Sequence, residues 1–248
     1  MAMAAIAASE LCTSILTPKI SSLAHFSPSL TRTRNLLLLG HHNWKQRPAK
    51  RLVIRAARIQ SKAVPLKSRA PNFELPEPLT GKVWTLEDFE AYPALLVMFI
   101  CNHCPFVIHL KRDIVKLAND YDRKGLATVA ISSNSIVTHP QDGPDFMAEE
   151  AKSFDYPFPY LYDETQEVAH AFGAACTPDF FIFKKDGRRP FELSYHGQFD
   201  DSRPNNNRPI TGRDLRIALD CVLSARPISI PQKPSIGCSI KWHPGSMK

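Results

Sequence analysis

Seven consecutive apolar residues, Ala94-Leu95-Leu96-Val97-Met98-Phe99-Ile100, interrupt a chain whose pattern is otherwise mixed. A run this short, apolar at every position, predicts a central strand covered on both faces, as in a parallel sheet. Directly after it the period changes. Val107, Leu110, Ile114, Leu117 and Tyr121 recur at steps of three and four, the buried stripe of a helix that opens at Pro105 and ends before Gly125. Proline suits the first helical turn, where a missing N–H costs nothing, and glycine suits a C-terminal cap.

The same reading continues along the chain. Leu126–Ser132 predicts a second buried strand, 134–144 a loop with two prolines, 145–154 a helix and 158–161 a short strand. Asp163 to Gln166 has the spacing of a capping box, opening a helix that ends near Gly173. A strand at 180–183, a turn at Asp186-Gly187 and a strand at 191–195 follow. The last helix is expected from Thr211, as its N-cap, to Ala225, with Leu215, Leu219, Val222 and Leu223 inward. Pro227, Pro231 and Pro234 stop it. Pro65 to Pro78 reads as an extended lead-in, and Gly81-Lys82-Val83-Trp84 as one arm of a hairpin. The order β-α-β-α-β-α-β-β-α, with long crossovers, predicts an α/β fold: a mixed sheet with helices on both faces and an N-terminal hairpin. The polar stretch 199–209, with three consecutive asparagines, is expected to be a surface insertion.

Composition narrows the function classes through its distribution. The chain has 248 residues and a formal charge of +7, from 31 Lys/Arg against 24 Asp/Glu. Eight of those bases and a single acid, Glu10, fall in residues 1–57, which leaves 23 of each sign for the rest. A neutral body is not the footprint of a nucleic-acid-binding surface. No apolar run approaches the ~18 residues of a membrane-spanning helix. The basic leader is rich in Ser and Thr and almost free of acid, the organelle import signature. We therefore expect residues 1–57 to be a transit peptide cleaved near Ala56, in Val53-Ile54-Arg55-Ala56-Ala57. It would send the protein to the chloroplast stroma, with the mitochondrion as the rival address. The domain expected behind it is 58–227, followed by a tail, 228–248.

Cys12 lies in the leader. Of the remaining five cysteines, Cys101 and Cys104 form a Cys-x-x-Cys at the junction of the first central strand and its helix. That location has a chemical reason. A helix N-terminus offers unpaired N–H groups and the positive end of a dipole, both of which favour a thiolate. One helical turn separates the two sulfurs, so one can attack a mixed disulfide formed on the other. His103, between them, would add positive charge. We expect Cys101 to be the nucleophile at the helix N-terminus, Cys104 the resolving thiol and His103 the group that tunes them. Half of a structural zinc site is the competing reading, but it would need a second ligand pair, and the sequence has no second Cys-x-x-Cys. No metal and no organic cofactor are expected. Cys221, among apolar positions of the last helix, reads as packing.

The segments Phe99-Ile100-Cys101-Asn102-His103-Cys104-Pro105-Phe106-Val107, Ala130-Ile131-Ser132-Ser133-Asn134, Tyr156-Pro157-Phe158-Pro159-Tyr160-Leu161-Tyr162-Asp163 and Cys176-Thr177-Pro178-Asp179 carry a resemblance. So does the tail Pro234 to Trp242. They resemble the peroxiredoxin-like branch of the thioredoxin superfamily, related to the alkyl hydroperoxide reductase and thiol-specific antioxidant proteins, in a plant plastid form. The resemblance implies a thioredoxin-like fold. It also implies that Thr177-Pro178 matches the cis-proline motif opposite the Cys-x-x-Cys, so these two residues would face a substrate.

The departures bear on activity. Thioredoxin has Trp before its first Cys, where this chain has Ile100, and a buried Asp six residues earlier, where it has Leu95. Aligning Cys104 with the peroxidatic Cys of peroxiredoxins puts Cys101 where their Thr or Ser stands, and Thr177-Pro178 displaces their later Arg. The expected function is thiol–disulfide exchange in redox homeostasis or antioxidant defence, on protein dithiols and disulfides or small thiols. A thiol peroxidase acting on hydroperoxides and a redox-silent binding or assembly module are the alternatives. Cys176 and Cys238 are candidate additional redox thiols. For Cys238 the reasoning is that Ile236-Gly237-Cys238-Ser239-Ile240 alternates apolar and small residues, so that the tail would lie on the body within reach of the other sulfurs.

Overall fold

The computed structural model describes residues 58–245. The proposed leader, its cleavage site and Cys12 lie outside the described residues. A five-stranded sheet forms the centre, built from β4 (Ala94–Phe99), β5 (Leu126–Ser132), β6 (Tyr160–Tyr162), β8 (Asp179–Lys184) and β9 (Glu192–Gly197). Across the sheet the strands lie in the order β6-β5-β4-β8-β9. β4 runs parallel to β5 and antiparallel to β8, so the sheet is mixed. The apolar run behaves as its pattern demands, with every residue of β4 buried.

The alternation of β4 divides the core in two. Leu96 and Met98 face α1 (Pro105–Asp122), α2 (Pro144–Ser153) and α4 (Arg213–Leu223). Leu95, Val97 and Phe99 face α3 (Glu167–Phe172) together with a hairpin, β2 (Glu74–Pro76) and β3 (Val83–Thr85), and a turn of 3-10 helix at Leu86–Phe89. Helices cover both faces and the N-terminal hairpin is present. The element order read from the sequence is that of a thioredoxin-like fold.

Three local expectations need correction. The helix expected to open with a capping box at Asp163 begins instead at Glu167, after Gln166 in a left-handed conformation. Asp163 still serves it, accepting the Ala169 N–H at 2.9 Å, and it accepts the Ser133 hydroxyl at 2.7 Å. Gly212, not Thr211, is the N-cap of α4. Residues 199–209 are more than a surface insertion, because Phe199, Asp200 and Ser202 are buried and Asp200 accepts the N–H groups of Ser202, Thr211 and Gly212.

The tail also takes part in the fold. β1 (Arg58–Gln60), β10 (Ile236–Ser239) and β7 (Cys176–Thr177) form a second sheet, which joins both ends of the described chain with β10 in the middle. Further hydrogen bonds hold the tail down, from the Ile240 N–H to Ala175 O at 3.0 Å and from the Ser135 N–H to Lys241 O at 2.7 Å. Trp242 stacks on His170, their ring centres 4.1 Å apart.

Candidate redox site

Cys104, not Cys101, stands at the N-terminus of α1: the helix starts at Pro105 and Cys104 is its N-cap. Proline at the first helical position is the signal, since it makes the residue before it the cap. The Val107 N–H lies toward the Cys104 sulfur without completing a capping hydrogen bond. Cys101 sits three residues earlier, on the turn that leaves β4.

Both sulfurs are buried, and neither is in a disulfide. They meet at one residue. Cys101 Sγ lies 3.4 Å from the Thr177 hydroxyl, and the Cys104 thiol donates to the Thr177 carbonyl at 3.1 Å. The peptide bond between Thr177 and Pro178 is cis.

The two thiols are pushed apart in acidity. Cys104 is lowered because the Cys101 and Cys238 thiols both donate toward its sulfur, with help from Thr177 and the Val107 N–H against the cost of burial. Cys101 is raised, first by burial, then by giving its proton toward Cys104 and by the nearby Asp142 carboxylate. Both shifts run in the direction that favours charge on Cys104 over Cys101. The helix N-terminus where Cys101 was expected is held instead by Cys104, and the Asp142 carboxylate lies near Cys101.

Among the described residues no hydrogen bond joins a sulfur to His103. Its Nδ1–H donates to Asp142 Oδ2 at 2.5 Å, and its ring stacks on His139 with centres 4.8 Å apart. Asp142 is the residue that sequence reading missed. It is fully buried, and its Oδ1 accepts the backbone N–H groups of Asn102 at 2.9 Å and His103 at 3.2 Å. Oδ2 also accepts the Asn134 side-chain amide at 2.9 Å. Burial alone would raise the Asp142 carboxyl, but the hydrogen bonds from His103 and Asn134 hold it below its ordinary value. One carboxylate thus fixes the backbone of the Cys-x-x-Cys turn. Tyr160 finishes the cradle, donating its hydroxyl to Asn102 Oδ1 at 3.0 Å.

Among the described residues, Cys101, His103 and Asp142 are the group whose ligand atoms could converge on a metal ion, all within 4.8 Å of one another. Both Asp142 oxygens are already engaged by N–H donors, and the His103 Nδ1 proton points at one of them. The donor set is arranged for hydrogen bonding.

The expected substrate-facing wall is covered. Thr177 and Pro178 are buried, and β10 pairs antiparallel with Cys176 and Thr177, setting Cys238 opposite Thr177. Gly237 makes this approach possible: a Cβ there would come within 2.0 Å of Thr177 O. Cys176 is buried and donates weakly to the carbonyls of Pro178 and Ser235, 3.8 and 3.9 Å away. Burial, with Asp179 beside it, pushes its thiol well up. Cys221, the remaining thiol, is buried on α4.

Residues 66–188 match the AhpC/TSA family. No curated protein matches the chain. The crystal structure of an uncharacterized conserved protein from Geobacillus kaustophilus is 52% identical, covers 77% of this chain and 98% of its own, and superposes with a TM-score of 0.73. A hypothetical protein from Sinorhizobium meliloti 1021 is 48% identical over 75% of this chain and 99% of its own, with a TM-score of 0.72. The chain belongs to one family with these two bacterial proteins, and within its thioredoxin-like fold residues 66–188 match the AhpC/TSA family.

Proposed function

We propose that this protein is a thiol–disulfide oxidoreductase whose working couple is Cys101 and Cys104. The observation that carries the reading is the meeting of two buried, unbridged sulfurs at Thr177, with the pKa of Cys104 lowered and that of Cys101 raised. A thiolate is the attacking form in disulfide exchange, and a neighbouring thiol is the means of release. Cys104 attacks one sulfur of a substrate disulfide and expels the other as a thiolate. Cys101 then attacks Cys104 Sγ, closes the Cys101–Cys104 disulfide and releases the second substrate thiol. Two electrons pass from the couple to the substrate, and the reverse sequence oxidises a dithiol. Protein disulfides and small thiols are the proposed substrates. Asp142 and His103 are positioning residues that hold the turn.

The hydroperoxide reading has one observation in its favour, the place of Cys104 at the start of the helix within an AhpC/TSA domain. Peroxide cleavage needs the departing oxygen stabilised. Among the described residues no arginine is hydrogen-bonded to either sulfur. The leader's charge and composition support import into the plastid stroma, for a role in redox homeostasis there. N-terminal sequencing of the organellar protein tests that address, and an intact Met1 on it contradicts import with cleavage.

Turnover of a disulfide-linked fluorescent peptide, measured beside consumption of an organic hydroperoxide, tests the reaction class. Disulfide turnover that vanishes in Cys104→Ser is expected. Hydroperoxide turnover alone would replace this reading with a peroxidase, and neither activity would leave a redox-silent module.

A further inference from the structure

Of the groups outside the couple, one sulfur is built into the same pocket. Cys238 is buried on β10, in the same core cluster as Cys101 and Cys104. Thr177 ties the three together. Both sulfurs of the couple touch it, and Cys238 is its cross-strand partner. α1, which Cys104 caps, packs on β10. The strand is anchored on both sides of Cys238, by the Ser61 N–H to Ser235 O at 3.0 Å and by the Lys241 N–H to Asn134 Oδ1 at 2.8 Å. Gly237 permits the close approach. A packing cysteine would need none of these.

We propose that Cys238 is a third redox thiol, which exchanges with Cys101 for the sulfur of Cys104. Resting on the oxidoreductase reading above, the step needs no outside reagent. The Cys238 sulfur, its proton lost to water, attacks Cys104 Sγ of the Cys101–Cys104 disulfide. A Cys104–Cys238 bond forms, the Cys101–Cys104 bond breaks, and Cys101 leaves as a thiolate that takes up a proton. The number of disulfides is unchanged. Cys101 and Cys238 are both neighbours of Cys104 that lower its pKa, so Cys104 is the shared member of both pairs. Disulfide formation requires Cα atoms within about 7 Å, and paired strands beside the helix end are the arrangement that brings chain segments so close. The consequence is that oxidising equivalents can be handed from the Cys-x-x-Cys turn to the C-terminal strand, and Cys101 is freed while Cys104 stays bridged.

The full chain carrying Cys101→Ser, treated with glutathione disulfide, alkylated and digested without reduction, tests this by mass spectrometry. We expect a peptide linking Cys104 to Cys238, with loss of the glutathione adduct on Cys104. In this variant the Cys104 thiolate takes glutathione from the disulfide, releasing one glutathione, and Cys238 displaces the second. Adding Cys238→Ser should restore the adduct. An adduct that persists on Cys104 in Cys101→Ser, with Cys238 alkylated, overturns the proposal and leaves the oxidoreductase reading intact. Absence of any reaction in Cys101→Ser, where the wild-type chain oxidises, overturns it as well. If the wild-type chain itself keeps all its thiols, both readings fall. Should Cys101→Ser not fold, the wild-type chain titrated with glutathione redox mixtures gives the same answer: the proposal requires the Cys104–Cys238 peptide in the partly oxidised samples and falls if only Cys101–Cys104 is found.

Discussion

The two sides of the Cys-x-x-Cys turn are built on opposite principles. On the side of Asn102 and His103 the turn is held by a polar cradle: one buried carboxylate, Asp142, receives four N–H groups, one of them from Asn134, and Tyr160 completes the set. On the side of Cys104 the surroundings are sulfur, a threonine and a strand laid down without a side chain between. The first side fixes position and leaves the His103 ring partly open to solvent. The second sets reactivity, because in a dry pocket the few donors that reach Cys104 decide which sulfur carries the charge. Asn134 joins the two, donating to Asp142 and accepting from Lys241, three residues beyond Cys238. Chemistry and scaffold are thus separable by mutation, and they should fail differently.

The largest effect is expected on the sulfur side. Cys104→Ser should abolish disulfide exchange while leaving the fold intact, and Cys101→Ser should retain a reactive Cys104 that forms mixed disulfides. Circular dichroism beside a mixed-disulfide assay checks both. Mixed disulfides trapped on Cys101 in the Cys104→Ser chain would reverse the roles of the two sulfurs.

On the cradle side the loss should be one of stability. Asp142→Ala leaves two backbone N–H groups and an amide without their acceptor, a cost of roughly 3 kcal/mol when each unmet buried donor counts for ~1 kcal/mol or more. Urea unfolding measures it. The carboxylate also has a pH signature. Its folded pKa lies below the ordinary ~3.9 of Asp. It therefore stabilises the fold fully above that ordinary value, and the contribution is lost as pH falls through the lower, folded value. Asp142→Asn should flatten the acid limb of a stability-versus-pH curve. An unchanged limb would show that other carboxylates govern it.

Gly237→Ala sharpens the contrast, because it perturbs the sulfur side through packing. The added Cβ meets Thr177 O, so β10 has to shift. Overpacking of this kind costs about 1–3 kcal/mol. Alkylation of Cys104 and Cys238 should accelerate while the cradle keeps its hydrogen bonds, and equal protection of both thiols in the variant would contradict the covering role of β10. The smallest effect belongs to Tyr160→Phe, which removes a single hydrogen bond to Asn102, worth about 1 kcal/mol. Exchange activity should be unchanged.

These two sides are not equally legible in the sequence. β4, α1 and β5 follow from an apolar run and a three-four period, which put the Cys-x-x-Cys at the right junction. Pro105 also marks Cys104 as the cap, although the resemblance to thioredoxin draws attention to the first cysteine. Asp142 is invisible, because it lies about 40 residues from the turn it holds, in a stretch whose prolines and glycine read only as loop. β10 is hidden for a related reason: a four-residue strand after three prolines shows no period, and its pairing with β1 and β7 is purely tertiary. That Cys238 would lie on the body can be argued from small and apolar alternation. That it would cover Thr177-Pro178 cannot.

The central claim is that Cys101 and Cys104 form a redox couple in the folded chain. Counting free thiols by mass-tag alkylation across a series of glutathione redox mixtures tests it most directly. The account predicts that the wild-type chain loses two thiols together in one step, that Cys104→Ser loses that step, and that Asp142→Asn keeps it. A thiol count that stays constant across the whole series would contradict the account.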